Sequence, residues 1–278
     1  MDSIAHEKPQ RCPICKSGSV YVFTSKHNRR IFKCSNIDCG HFFTPILQED
    51  QGVCIRDENL AKESDESIGI FDERNIRLLG LFMSYLIDTP KPIAFLDFGA
   101  GNAHISRTFK RALKGDCVIY CLDPNPLYEG LYSKYELSQV KDIDELPEKV
   151  DFVYMIEVIE HLNDPISTLK VLRTILKSNG MMFFSTPVGR KREALTNAYD
   201  TPSHVQFFTP TSLNRALKAS GFTEVRFRYY PEMYPLPLKG RMVRRVVSYA
   251  KSSLKRLLIK LSKGRNGIGH LVGLTRPV

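Results

Sequence analysis

Four cysteines stand out first: Cys12-Pro-Ile-Cys15 and Cys34-Ser-Asn-Ile-Asp-Cys39 form two pairs separated by eighteen residues. Two thiolate knuckles of this kind, each on a tight turn, suit a tetrahedral four-thiolate zinc site. The wider gap in the second pair leaves His41 as an alternative to Cys39. A closed four-ligand site has no open coordination position. The zinc is therefore expected to be structural, holding a segment too small to build a core of its own. Cys54, Cys117 and Cys121 have no such partners, and the last two fall in an apolar strand as core packing.

A second stretch with chemical potential is Phe95-Leu-Asp97-Phe-Gly99-Ala-Gly101-Asn102, an apolar strand ending in an acid and followed by a Gly-x-Gly turn. Glycines at such a turn let the backbone approach a ligand at the carboxyl edge of a sheet. The next strand, Val118 to Leu122, ends in Asp123, at the spacing of a carboxylate that accepts from both hydroxyls of a ribose. A dinucleotide is disfavoured because position 104 is His rather than a third glycine, and because Asp97 precedes the turn.

The elements that must position these residues follow from apolar periodicity. Residues 11–47 contain strand-like pieces at Ser19 to Thr24, Arg30 to Lys33 and His41 to Thr44. The polar segment from Gln48 to Glu66 reads as a linker, and Ile68 to Ile87 as a helix ahead of the main sheet. Strands are expected at 93–98, 117–122, 137–141, 151–157, 180–186 and 223–230, with helices at 103–113, 165–177 and 211–219. This alternation implies an α/β doubly wound, mostly parallel sheet. Asp164-Pro165 and Thr209-Pro210 each place a capping side chain before a first-turn proline. Gly180 and Gly221 sit where the same helices should stop. The expected domains are a zinc ribbon at 1–47, a linker at 48–67 and the α/β domain at 68–278.

The formal net charge of +10 is unevenly placed: residues 233–278 hold eleven of the 40 Lys and Arg residues and no acid, which leaves 29 bases against 30 acids elsewhere. Within that stretch Val243, Val246, Val247, Ala250, Leu254, Leu257, Leu258 and Leu261 recur at helical spacing among Arg244, Lys251, Lys255 and Lys263. This predicts a basic amphipathic insert at about 235–266, suited to an anionic membrane surface through residues 239–265, to nucleic-acid phosphates, or to packing over a pocket. No leader pattern or run of membrane-spanning length is evident. The expected location is cytoplasmic, with peripheral contact at the inner membrane face.

The series FLDFGAGNA, VIYCLD, VDFVYMIEVIEHLNDP, GMMFFSTP and HVQFFTPTSLNRALKASGF, over residues 68–230, resembles class I S-adenosylmethionine-dependent methyltransferases. Within that class it is similar to the branch of ubiquinone-biosynthesis O-methyltransferases and of sugar and natural-product methyltransferases. The resemblance implies a Rossmann-like, seven-stranded sheet, in which Glu224–Tyr230 pairs with an antiparallel seventh strand at His270–Thr275, and a turn of Asp97, Gly99, Gly101 and Asn102 that holds the methionine part of S-adenosylmethionine, with Asp123 holding the ribose. It also implies that Asp142 and Ile143 meet the adenine and that Glu157 faces the cofactor. If the acceptor is a hydroxyl, a general base is needed. His161 and His204 are the candidates, although histidines beside helix starts also serve to tie loops together. The expected partner is a small-molecule or glycan acceptor, including a lipid-linked saccharide. An RNA methyltransferase and a non-catalytic cofactor-binding protein are the alternatives.

Overall fold

The computed structural model describes residues 10–25, 28–45, 80, 85–86, 88–128, 130–189, 203–223, 225, 227–230 and 270–278. The expected linker at 48–67, Cys54, most of the helix at 68–87 and the amphipathic insert at 235–266 lie outside them.

Runs of apolar residues buried on both faces make the central strands. β4 (Ile93–Phe98), β5 (Cys117–Leu122), β6 (Ser138–Val140), β7 (Val150–Ile156) and β8 (Leu176–Pro187) pair in parallel. β10 (Arg228–Tyr230) and β11 (His270–Thr275) add antiparallel to β8, giving the seven-stranded order β10-β11-β8-β7-β4-β5-β6. β4 and β7 are neighbours where the winding reverses, so their carboxyl ends border the crevice in which such sheets bind ligands.

Helices cover both faces. α1 (His104–Leu113) closes one side with Phe109 against Phe95 and Tyr154. On the other side, α2 (Pro165–Ile175) and α3 (Pro210–Ala219) bury Leu169, Leu172, Leu213 and Leu217 with Leu96, Val153 and Met155. The expected caps form. Asp164 accepts from the Ser167 N–H, and Thr209 and Ser212 make a reciprocal capping box. Gly221, at φ 79°, follows the end of α3 as expected.

Gly180 does not stop a helix. α2 ends at Ile175, and β8 begins at Leu176 and runs through the glycine. The strand expected over 223–230 is shorter, at Arg228–Tyr230, with Phe222 bridging Pro277 instead.

The N-terminal strands β1 (Ser19–Thr24), β2 (Arg30–Cys34) and β3 (Phe42–Phe43) form their own sheet. A fourth strand, which periodicity does not reveal, joins it. This is β9 (Gln206–Phe207), from the far end of the chain, paired antiparallel with β3. Phe32, Phe43 and the thiols belong to the same buried cluster as Leu213 and Phe208 of the larger domain.

Candidate functional site

At the end of β4 the chain turns through Gly99 (φ 77°), Gly101 (φ 52°) and Ala103 (φ 57°). At Gly99 both the positive φ and space demand glycine, because a Cβ there would lie 2.5 Å from Val158 Cγ2. Val158 follows the last residues of β7, so the glycine turn and the β7 loop are packed together. A Cβ on Gly101 would meet no atom within 4 Å, so this turn borders open space.

The carboxylate of Asp123 binds the turn, and that of Asp97 is buried close to Asp123. Asp123 Oδ2 accepts from the Gly101 N–H at 2.8 Å, and its Oδ1 accepts from the Asn125 N–H at 2.8 Å. A carboxylate has roughly four acceptor sites, so capacity for two hydroxyls remains. Burial raises the Asp123 pKa, and the two backbone donors oppose the shift. Asp97 is wholly buried at the head of a relay in which Tyr154 hydroxyl meets Ser106 Oγ at 2.6 Å and Ser106 donates to Asp97 Oδ2 at 2.7 Å. Burial pushes Asp97 up to about 7, against the Ser106 hydrogen bond and helped by nearby Asp123. The Tyr132 hydroxyl donates to the Gly101 carbonyl at 2.8 Å and so braces the turn from the β6 side.

Open space at Gly101 beside the Asp123 carboxylate, with Asp97 buried near it, fits a ligand bearing a ribose and a cationic amino acid. Asn102 Nδ2 lies 2.6 Å from His104 Nε2. Asp142 accepts from the Asp144 N–H and caps the short 3-10 turn Ile143–Glu145, with Ile143 half-buried behind it.

Beyond β7, Glu157 takes φ 58° and is held by the Ser185 hydroxyl on Oε1 and by His270 Nε2 at 2.8 Å from Oε2, among others. The 3-10 turn Ile159–His161 then brings Glu160 and His161 against His204. The two imidazoles are 4.6 Å apart, edge to face. One ligand atom from each of Glu160, His161 and His204 lies within 4.8 Å of the others. Thr186 donates to Glu160 Oε2 at 2.9 Å, and His204 Nε2 is 4.0 Å from Glu160 Oε1.

His161 Nδ1 lies 3.0 Å from the Ser203 carbonyl. A carbonyl only accepts, so Nδ1 carries the proton and Nε2 keeps its lone pair. Burial lowers the His161 pKa below the ordinary imidazole value, and its carbonyl partner and Glu157 oppose that shift. This cluster offers either a neutral base or, with Glu160, a two-imidazole, one-carboxylate ligand set for a divalent cation.

The structure brings the four cysteines together. Cys12 and Cys39 Sγ are 3.9 Å apart, Cys15 and Cys34 Sγ 3.3 Å, and all four sulfurs lie within 4.8 Å of one another. Thiolates about 2.3 Å from a tetrahedral zinc stand about 3.8 Å apart, so the donor set and spacing fit that ion. His41 is not in the cluster. Its Nε2 donates to Gln206 Oε1 at 2.9 Å and its Nδ1 lies 3.2 Å from Ser212 Oγ. Full burial holds its pKa down to about 4. Gln206 in turn donates to the Leu162 carbonyl at 3.0 Å, and Arg29 donates to the His204 carbonyl at 2.7 Å. The cysteine module thereby grips the segment that carries His204.

Sequence reasoning did not reach Ser106, Tyr132, Tyr154, Gln206, His270 or Arg29. Their partners lie between 9 and 175 residues away in sequence, and no local pattern marks them. Glu160 stood within a quoted motif, immediately before His161, and adjacency to a candidate base was the signal available.

The methyltransferase domain family matches residues 71–226, more than half of the chain. The ubiquinone biosynthesis O-methyltransferase of Pseudomonas syringae pv. tomato is 30% identical over 101 residues, 33% of this chain and 43% of that protein. The tRNA U34 carboxymethyltransferase of Campylobacter jejuni is 33% identical over 96 residues, 33% of each chain. The chain thus spans less than half the length of these two relatives. A solved complex of the Haloferax volcanii Trm112 methyltransferase activator with a methyltransferase overlays with a TM-score of 0.50 at 17% identity, covering 75% of this chain and 96% of that one, which shows a shared fold. The family match over more than half of the chain, on a doubly wound sheet with a glycine turn at its crevice, places this chain among the class I S-adenosylmethionine-dependent methyltransferases.

Proposed function

We propose that the chain methylates a hydroxyl oxygen of a small-molecule or saccharide acceptor. The observation that carries this reading is the convergence of Glu160, His161 and His204 directly after β7, beside the glycine turn. A hydroxyl is a weak nucleophile until its proton is removed, and these residues supply what removal needs. His161 is held neutral by burial, its Nδ1 proton is committed to Ser203, and its Nε2 lone pair is able to take the acceptor proton. Glu160, anchored by Thr186, is placed to favour the imidazolium that forms. When bound, the cofactor supplies an electrophilic sulfonium methyl. The turn at Gly99 and Gly101 orients it, and proximity with exclusion of water carries much of the rate.

The ligand set favours a second use of the same cluster, a divalent cation that would lower the pKa of the acceptor hydroxyl. The four-thiol cluster is proposed to hold a structural zinc, and residues 239–265 to contact an anionic membrane surface near a lipid-linked acceptor.

The test is transfer of labelled methyl from S-adenosylmethionine to panels of phenols, saccharides and lipid-linked saccharides, with and without a chelator that spares the thiol site. His161→Ala, which removes the proposed base, is expected to lower kcat by about a hundredfold or more with cofactor affinity retained. Loss on chelation alone assigns the cluster to a cation, and labelling of an amine or carbon acceptor overturns the reading.

Asp97 makes cofactor binding pH-dependent. Its pKa in the unliganded fold is raised above the ordinary carboxylate value by burial. Its contribution to stability is therefore present below the unfolded value and is lost as pH rises through about 7. A cationic ligand at the turn favours the ionised form, so binding releases a proton. Affinity for S-adenosylmethionine is expected to tighten between about pH 6 and about pH 8, and Asp97→Asn to flatten that profile. Calorimetry in buffers of different ionisation enthalpy reads the proton release, and a flat profile for the unaltered protein contradicts the assignment.

A further inference from the structure

On the flank away from the Glu160 turn, α1 carries Arg107, Lys110 and Arg111, and Lys114 caps its C-terminal end. Their three- and four-residue spacing puts them along one side of the helix over about 10 Å. The 3-10 turn Tyr132–Tyr135 faces them with Lys134 and Tyr135. These six residues, with Gly115 and Glu136, line a cavity of about 610 Å³. The Arg107 guanidinium lies 3.7 Å from the centroid of the Tyr135 ring, which fixes a planar cation in the wall. Five cations thus surround one carboxylate. The helix dipole accounts for Lys110 and Arg111 in the last turn of α1, but not for Arg107 further back or for Lys134 on the opposite wall.

We propose that this groove binds the phosphodiester backbone of a nucleic-acid strand. Charge complementarity and concave shape both favour it, since a strand lies in a groove whereas a bilayer presents a plane. Placement favours a polymer as well. Lys134 precedes β6, and the Glu160 turn follows β7, three strand spacings or about 14 Å away. A group seated in the groove is therefore not the group that reacts, and a polyanion is long enough to contact this flank independently of the acceptor pocket. The proposal does not depend on the hydroxyl-acceptor reading.

The test is fluorescence anisotropy of a labelled, mixed-sequence single-stranded RNA, and of DNA of the same sequence, with the full chain. The unaltered protein is compared with the combined Lys110→Ala, Arg111→Ala and Lys114→Ala variant and with Lys134→Ala. Cofactor calorimetry serves as the control for folding. The combined variant should lose tenfold or more in affinity, and its log–log salt slope should fall by about 2, at roughly 0.7 per phosphate contact. Lys134→Ala, from the opposite wall, should lose affinity in the same direction. Unchanged affinity and slope, with binding then located elsewhere such as residues 233–278, would overturn the proposal. So would a chain that binds neither nucleic acid, competition by free inorganic phosphate at concentrations that match phosphate alone, or loss of binding to phosphatidylserine vesicles in place of nucleic acid.

Discussion

Asp123→Ala is expected to weaken S-adenosylmethionine and S-adenosylhomocysteine binding by more than tenfold, or about 1.4 kcal/mol. Two losses combine. The carboxylate is the proposed acceptor for the ribose hydroxyls, and it also receives the Gly101 and Asn125 N–H groups that shape the turn. Without it those donors are left unsatisfied at about 1–3 kcal/mol each where buried, and the segment that Tyr132 braces through the Gly101 carbonyl loses its second anchor. Asp123→Asn keeps one carbonyl acceptor and should fall between the alanine variant and the unaltered protein. Calorimetric titration of both ligands, with circular dichroism to establish that each variant is folded, decides the matter. Equal affinity for the alanine variant would remove the ribose assignment.

Loss of the four-thiol site should reach much further than the N-terminal module. Cys39→Ser, or removal of metal by a strong chelator, breaks a set whose sulfurs already stand at zinc-binding separations. Structural zinc commonly contributes about 10–16 kcal/mol of apparent binding free energy to small modules at neutral pH, and this module's own core is small. Its unfolding removes the β3–β9 pairing, the His41 contact to Gln206 and the Arg29 contact to the His204 carbonyl. Hydrogen exchange should therefore accelerate at Phe42, Phe43 and Gln206, and methyl transfer should fall by tenfold or more. Cofactor affinity should change little, because the glycine turn is anchored by β4, β5 and Tyr132. One equivalent of zinc, measured by native mass spectrometry, should be lost with the first cysteine replaced. A chain with no bound metal, or exchange at β9 indifferent to chelation, would contradict the structural role.

How much was legible beforehand depends on the range over which each signal acts. The amino-acid sequence by itself determined the order and type of the main elements, because a strand buried on both faces is an unbroken apolar run and a capped helix start is a local side-chain-to-backbone bond. Ile93–Phe98, Cys117–Leu122 and the caps at Asp164 and Thr209 follow from a few neighbouring residues each. The glycine turn was legible for the same reason, since positive φ at Gly99 and Gly101 is a local demand.

Tertiary structure alone decided what converges. β9 has two residues, too few for periodicity, and exists because β3 presents an edge to it. Gly180 reads as a helix stop until pairing of β8 with β7 and β11 draws the chain into strand from Leu176 onward. His41 looked like a fifth candidate ligand, yet Gln206 and Ser212, more than 160 residues away, take both its nitrogens. The pairing of His161 with His204 and Glu160 likewise depends on residues 203–205 lying against the turn after β7, with the Val205 N–H donating to the Glu160 carbonyl. Hydrogen bonds and ring contacts between distant segments are set by how the layers stack, and that geometry leaves no trace in the spacing of residues along the chain.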